Sequence, residues 1–161
     1  MGGLIPPLFY FVKIKEILKI EINFILSFIL ILIFFSIILV GFIIVQNEIV
    51  DLRVYASSVD IIKDIKNSQY IAIVKNEPFI LTINDNKIKI RYTKEDIDFI
   101  NRNPLFDNIL VSMDKDKVLI MDVGTFEFYG DDCKISLKSG KIYYKIILSK
   151  DGKINIEKSK K

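Results

Sequence analysis

The chain has no histidine and a single cysteine, Cys133, in 161 residues. The missing imidazole removes the commonest general base, the commonest zinc ligand and every Ser-His triad. One cysteine cannot form an internal disulfide. With no His to activate it, Cys133 reads as a small half-buried hydrophobe rather than a nucleophile. No Gly-rich phosphate loop and no CxxC pair is found, so nothing supports an enzyme or a bound cofactor. Strong net charge is also lacking. Of 23 Lys and Arg and 20 Asp and Glu, three cations and two acids precede residue 22, and the remainder is nearly balanced. That balance gives no field strong enough to imply nucleic-acid binding by itself.

One stretch lacks charge altogether. Residues 22–45 read INFILSFILILIFFSIILVGFIIV. About 20 apolar residues cross the hydrocarbon core as a helix. Even with Asn23, Ser27 and Ser36 discounted, this run contributes roughly −7 kcal/mol of insertion free energy. It stays bulky through Val45 and is followed by Gln46-Asn47-Glu48. Signal peptides are shorter and end at small residues, so a retained anchor is expected, with Ile22, Phe28, Phe34, Phe35 and Val45 facing lipid. Lys13, Lys15 and Lys19 precede the span, and Arg53 is the nearest cation after it. Excess Lys and Arg stays cytoplasmic, which puts the N-terminus inside and the bulk of the chain outside. Leu4–Val12 is too short to cross and contains Pro6-Pro7. An extended leader is expected there, an interfacial segment being the alternative.

Beyond Gln46 the pattern becomes that of an amphipathic helix. Ile49, Leu52, Ala56, Val59, Ile62, Ile65, Ala72 and Ile73 recur mostly at three and four spacing, with Gln69 in one gap. Asp51, Arg53, Asp60, Lys63, Asp64 and Lys66 fall mostly on the other side. The spacing predicts one helix from near Ile22 to Lys75, stopped by Asn76-Glu77-Pro78, that buries Leu52, Ala56, Val59, Ile62, Ile65, Ala72 and Ile73 against a sheet.

After Pro78 the period falls to two. Phe79–Ile83 and Lys87–Tyr92 read as a hairpin about Asp85-Asn86. Thr93 starts a short helix through Ile100, with Asp96 at an imperfect capping-box position. Further strands follow at Ile109–Ser112, Val118–Met121, Thr125–Phe128, Lys134–Lys138, Ile142–Leu148 and Lys153–Ile156. Ser139-Gly140 and Asp151-Gly152 are the hairpin turns, the latter suited to type I′. The fold class is α+β: a long N-terminal helix, transmembrane and then amphipathic, packed on a C-terminal antiparallel sheet. The divisions are a cytoplasmic leader at 1–21, the span at 22–45, the amphipathic continuation at 46–76 and an extracytoplasmic β-domain at 77–161.

Asp64-Ile65, Gln69, Ala72-Ile73 and Lys75-Asn76-Glu77-Pro78-Phe79-Ile80-Leu81 resemble the end of the helix and the first strand of type IV pilin-like proteins. The tail, Gly140 to Leu148 and then Asp151 to Glu157, is similar to that family's terminal hairpin. The resemblance covers about 22–157 and is nearest to the minor pseudopilins, the H type of type II secretion and the D type of competence pili. It implies a non-enzymatic subunit whose partners are the bilayer and other pilin-like subunits. The sequence departs from the family at the head of the apolar run. The family's spacing from Ala72 puts its glutamate near Leu26, where neither that residue nor the Gly of the peptidase site stands. The resemblance therefore does not extend to leader cleavage or to glutamate docking.

Asp114-Lys115-Asp116-Lys117 and Asp131-Asp132 lack the ligand spacing, the central Gly and the closing Glu of an EF-hand and read as turns. The basic end, Lys158, Lys160 and Lys161, is either a solvated terminus or a contact for DNA phosphates or anionic lipid. The second reading would make the chain a DNA-contacting tip subunit.

Overall fold

A computed structural model describes residues 7–94 and 97–160. It divides into two units, Met1–Asn47 and Glu48–Lys161. Helix α1 spans Pro7–Lys75. It starts well before the expected Ile22, because Pro7 occupies the first helical position, where a missing N–H costs nothing. The extended leader expected over Leu4–Val12 is thus helical from Pro7, while 4–6 lie outside the described residues. After Pro7 the helix contains no proline and only one glycine, Gly41.

The helix stops with its carbonyls satisfied. Asn76 takes φ 51°. Its N–H donates to the Ile73 carbonyl at 3.4 Å, and that of Glu77 donates to Ala72 at 3.1 Å. This pair of bonds is a Schellman cap with Asn in the left-handed position. Pro78 then prevents continuation.

Among the described residues the second unit carries nine strands, β1 (Phe79–Asn84), β2 (Lys87–Tyr92), β3 (Asp98–Arg102), β4 (Leu110–Met113), β5 (Val118–Ile120), β6 (Phe126–Glu127), β7 (Cys133–Ser139), β8 (Ile142–Leu148) and β9 (Ile154–Lys160). They form two antiparallel sheets, not the single one expected. The first has the order β3-β2-β1-β5-β6 and the second β4-β7-β8-β9. Alternation tells which way a side chain faces but not which strands pair, and β4 leaves its sequence neighbours to join β7. Asn86, in the β1–β2 turn, stitches the sheets together. Its amide donates to the Ile109 carbonyl at 3.1 Å and accepts the Val111 N–H at 2.6 Å, so a side chain substitutes for a ladder rung.

Thr93 starts no helix. Its hydroxyl and its N–H both donate to the Pro78 carbonyl, at 3.0 and 3.2 Å. The segment that follows becomes β3, where Ile100 pairs with Ile90 and the Phe99 ring meets Phe79 at 5.5 Å. Asp96 lies outside the described residues. Asp85 and Asn86 are both left-handed, as a type I′ turn requires. Asp151-Gly152 is not of that type, since only Gly152 has positive φ. The Ser149 N–H donates to Lys153 and the Gly152 N–H to Ser149, which closes a longer loop with glycine at its left-handed position.

The core lies between α1 and the inward strand faces. Phe79, Leu81, Ile88, Ile90, Val118 and Ile120 contribute from the first sheet, and Cys133, Ile135, Leu137, Ile146 and Leu148 from the second, all fully buried. The helix answers with Val54, Ser57, Ser58, Ile61, Ile65, Ser68 and Ala72, also fully buried. Their three and four spacing makes one narrow stripe. Ser58 and Ser68 survive burial by donating to the carbonyls of Val54 and Asp64, four residues back, each at 2.8 Å.

Each flank of the stripe latches one sheet. Arg102 on β3 pairs with Asp60 at 2.6 Å and with Asp64. On the other flank Asp51 accepts the Tyr144 hydroxyl at 3.0 Å and the Lys158 ammonium at 2.5 Å. These acids were expected on the solvent side. They instead border the stripe, where strand cations can reach them. Burial alone would lower the Arg102 pKa, but the hydrogen bonds and charge of Asp64 and Asp60 raise it above its ordinary value. Burial and then Asp51 raise that of Tyr144, and the bond to Asp51 raises that of Lys158.

Candidate functional site

The features that distinguish this chain are faces of α1. Ile22, Phe28, Phe34, Phe35 and Val45 are all exposed, as is every large apolar side chain between them. Among the described residues one helix is long and apolar enough to cross a membrane. A surface that apolar has no stable place in water.

In the second unit the helix has a second apolar face. Leu52, Val59 and Ile73 were expected to pack on the sheet. They are instead 65%, 44% and 54% exposed. At 100° per residue they fall with Tyr55, Tyr70 and Val74, also exposed, on the side turned away from the buried stripe. Ala56 and Ile62 are half-buried, and Ile65 and Ala72 fully buried. The misreading has a physical cause. Both faces repeat at three and four spacing, and the buried one is built partly from serines, which score as polar but are small enough for close approach. Val54 and Ile61 were the apolar members available to reveal it.

Gln69 is the polar residue that seats the helix. Its side-chain N–H groups donate to the carbonyls of Gly124 at 2.6 Å and Gly152 at 3.3 Å. One amide thus gathers the turn after β5 and the turn after β8 onto α1.

The basic end is not a free tail. Strand β9 continues to Lys160 and pairs with β8 throughout, and Lys158 is engaged by Asp51. The side chain of Lys160, and Lys161 altogether, lie outside the described residues. Among the acidic turns, Asp114 accepts the Lys134 N–H at 2.8 Å, the ordinary work of a turn aspartate. No group of three or more His, Cys, Asp or Glu able to hold a metal occurs among the described residues.

Cys133 is fully buried rather than half-buried. Burial first, and then Asp114, push its thiol up to about 12. Since the thiolate is the reactive form, the folded chain is expected not to react with a maleimide or an aromatic disulfide at pH 8. Unfolding in urea should release one reactive thiol per chain. Stoichiometric labelling without denaturant would contradict this burial.

A long N-terminal helix, apolar and exposed in its first part and laid on antiparallel sheets in its second, defines the pilin-like α+β fold. The minor pseudopilin EpsH from the Type 2 Secretion System of Vibrio cholerae has this fold. It matches with a TM-score of 0.52 over 66% of this chain and 97% of that one. Identity between the two is 10%, so what they share is architecture. No family model matches the sequence, and neither does any curated protein.

Proposed function

We infer that the chain is a single-pass, membrane-anchored, non-enzymatic pilin-like subunit of a secretion, pilus or DNA-uptake apparatus. Its leader (1–21) is cytoplasmic, as Lys13, Lys15 and Lys19 favour. Residues 22–45 cross the bilayer, 46–76 continue the helix, and 77–161 form the extracytoplasmic domain. The observation that carries this reading is the exposed face of Leu52, Tyr55, Val59, Tyr70, Ile73 and Val74. Lipid can cover an apolar helix surface only within the bilayer. Past Val45 such a surface needs a protein partner, and a neighbouring subunit's helix offers a matching shape and length. EpsH, a minor pseudopilin of a secretion system, supports the same class of assembly.

The test is recovery of the full-length chain from membranes in mild detergent together with other pilin-like proteins. Leu52 and Val59 are both exposed, so Leu52→Asp and Val59→Asp should leave the fold intact. Each should cut co-recovery about tenfold, the value of burying one aliphatic side chain. A chain recovered alone from its native membranes, or co-recovery unchanged in the double variant, would reject this lateral packing.

A further inference from the structure

The β7–β8 turn of the second sheet carries a basic hollow that the pilin-like reading does not use. Lys138, Gly140, Lys141, Tyr143, Lys145 and Ser159 line a depression of about 450 Å³. Three of the six are lysines, and none is an acid. Strand register explains the grouping. Lys138 pairs with Tyr143, which pairs with Ser159, and Lys145 is one step along on the same outward face. Tyr143 is fixed by a 2.7 Å hydrogen bond with Ser136, and the Lys145 ammonium lies 5.4 Å from its ring centre. The acid nearest in register is Glu157, paired with Lys145. Exposed Leu110 pairs with Lys138 from β4.

Two contacts fix which end of the unit this is. Gln69 holds Gly152 beyond the C-terminal end of β8, and Asp51, eighteen residues earlier on α1, holds Tyr144 near its start. Strand β8 therefore runs along the helix in the helix's own direction. Lys141, three residues before Tyr144, lies about 10 Å further toward the helix N-terminal side. That is the end at which the chain enters the unit, and Glu48 follows Val45 by three residues. Three residues reach at most about 11 Å whatever their conformation.

We propose that this hollow is a membrane-surface contact that holds the phosphate of an anionic phospholipid against Lys138, Lys141 and Lys145. The proposal rests on the membrane-anchored reading. Lysines without an arginine suit phosphate as point charges rather than a carboxylate read by a planar fork. A half-buried tyrosine and an exposed leucine beside them are what an interfacial contact uses. A nucleic-acid backbone would gain nothing from Leu110.

The test uses the full-length chain in vesicles of phosphatidylcholine alone or mixed equally with phosphatidylglycerol, with a headgroup-quencher lipid in both. One fluorophore is placed at Asp107→Cys, exposed and outside the hollow beside Asn108, which reaches Ser139 at the β7–β8 turn, and, in a separate chain, one at Asp151→Cys, at the far end of the sheet. Buried Cys133 takes no label. Quenching at position 107 should be stronger in the anionic vesicles, and at 151 equal in the two. Lys138→Gln, Lys141→Gln and Lys145→Gln together should lower the docked-to-free ratio on the order of 100-fold, about fivefold per lysine, returning position 107 to its value in neutral vesicles. Glu157→Lys should strengthen quenching. Equal quenching in both vesicles, or a triple variant quenched like the parent, overturns the proposal. So does lysine-dependent retention of an oligonucleotide on neutral vesicles with no effect of phosphatidylglycerol, which would mark a nucleic-acid surface. A chain that fails to float with vesicles overturns the anchored reading as well, whereas flotation with no lipid preference overturns the contact alone.

Discussion

Phe79→Ala is expected to destabilise the second unit by about 3–5 kcal/mol, the range for emptying a buried aromatic site. Phe79 is fully buried and is the first residue of the strand on which both halves of the first sheet depend. It pairs with Tyr92 on one side and Ile120 on the other. Its ring lies 4.5 Å from that of Tyr92 and 5.5 Å from that of Phe99, so truncation removes an aromatic neighbour from two strands at once. The site cannot collapse easily, because Pro78 and the Schellman cap fix the backbone just before it. Urea unfolding of the full-length chain in mild detergent, followed by near-ultraviolet circular dichroism, measures the loss. Tyr70→Ala, on the exposed helix face, is the control and should stay within about 0.5 kcal/mol of the parent. A loss at Phe79 no larger than at Tyr70 would mean that the first sheet does not pack as described.

The parts of this fold that could be read from sequence are those where local chemistry decides alone. An uncharged run long enough to span, the stop at Asn76-Glu77-Pro78 and the Asp85-Asn86 turn each follow from a few adjacent residues. The strands from Phe79 to Tyr92 and from Ile142 to Leu148 are also legible, because each is a short β-branched and aromatic run bounded by turn residues. What could not be read needed a partner distant in sequence. Thr93 is a competent helix cap in isolation, but the Pro78 carbonyl claims its hydroxyl, and Arg102 on the following strand finds Asp60 and Asp64 on α1. The division into two sheets depends on β4 choosing β7, a pairing that no periodicity encodes.

The helix faces gave the most instructive miss. An amphipathic helix with one partner has one apolar stripe. This one has two, and the three and four spacing mixes them: Ile65 and Ala72 belong to the buried face, whereas Leu52, Val59 and Ile73 belong to the exposed one. The serines at 57, 58 and 68 and the acids at 51, 60 and 64 mark the true inner surface, through small volume and through latching. The surplus apolar face is what remains once the sheet has been supplied, and it bears on assembly rather than folding. The same contacts relocate positive charge. Lys158 is engaged by Asp51, whereas Lys138, Lys141 and Lys145 gather at the β7–β8 turn.

Gly152→Ala should cost about 3 kcal/mol, combining a left-handed backbone with a direct clash. Gly152 has φ +85°, and a methyl group there would lie 2.6 Å from the Gly124 carbonyl oxygen. That oxygen cannot retreat, because it accepts the Gln69 amide at 2.6 Å. Gly124→Ala is the informative comparison. Its φ is +78°, but the added methyl would meet only the tip of the Ile73 side chain at 3.0 Å, and an exposed side chain can swing aside. Gly124→Ala should therefore cost only the backbone term, about 1–2 kcal/mol. Gln69→Ala removes the donor and should cost about 1–2 kcal/mol, since two carbonyls lose a partner. Because it also frees the Gly124 carbonyl to move, the double variant Gln69→Ala with Gly152→Ala should be less destabilised than the sum of the singles. Strict additivity, or equal losses at the two glycines, would show that the turns after β5 and β8 are not gathered onto the helix by this amide. The second sheet would then be seated on α1 by its apolar core face and by Asp51, without this amide.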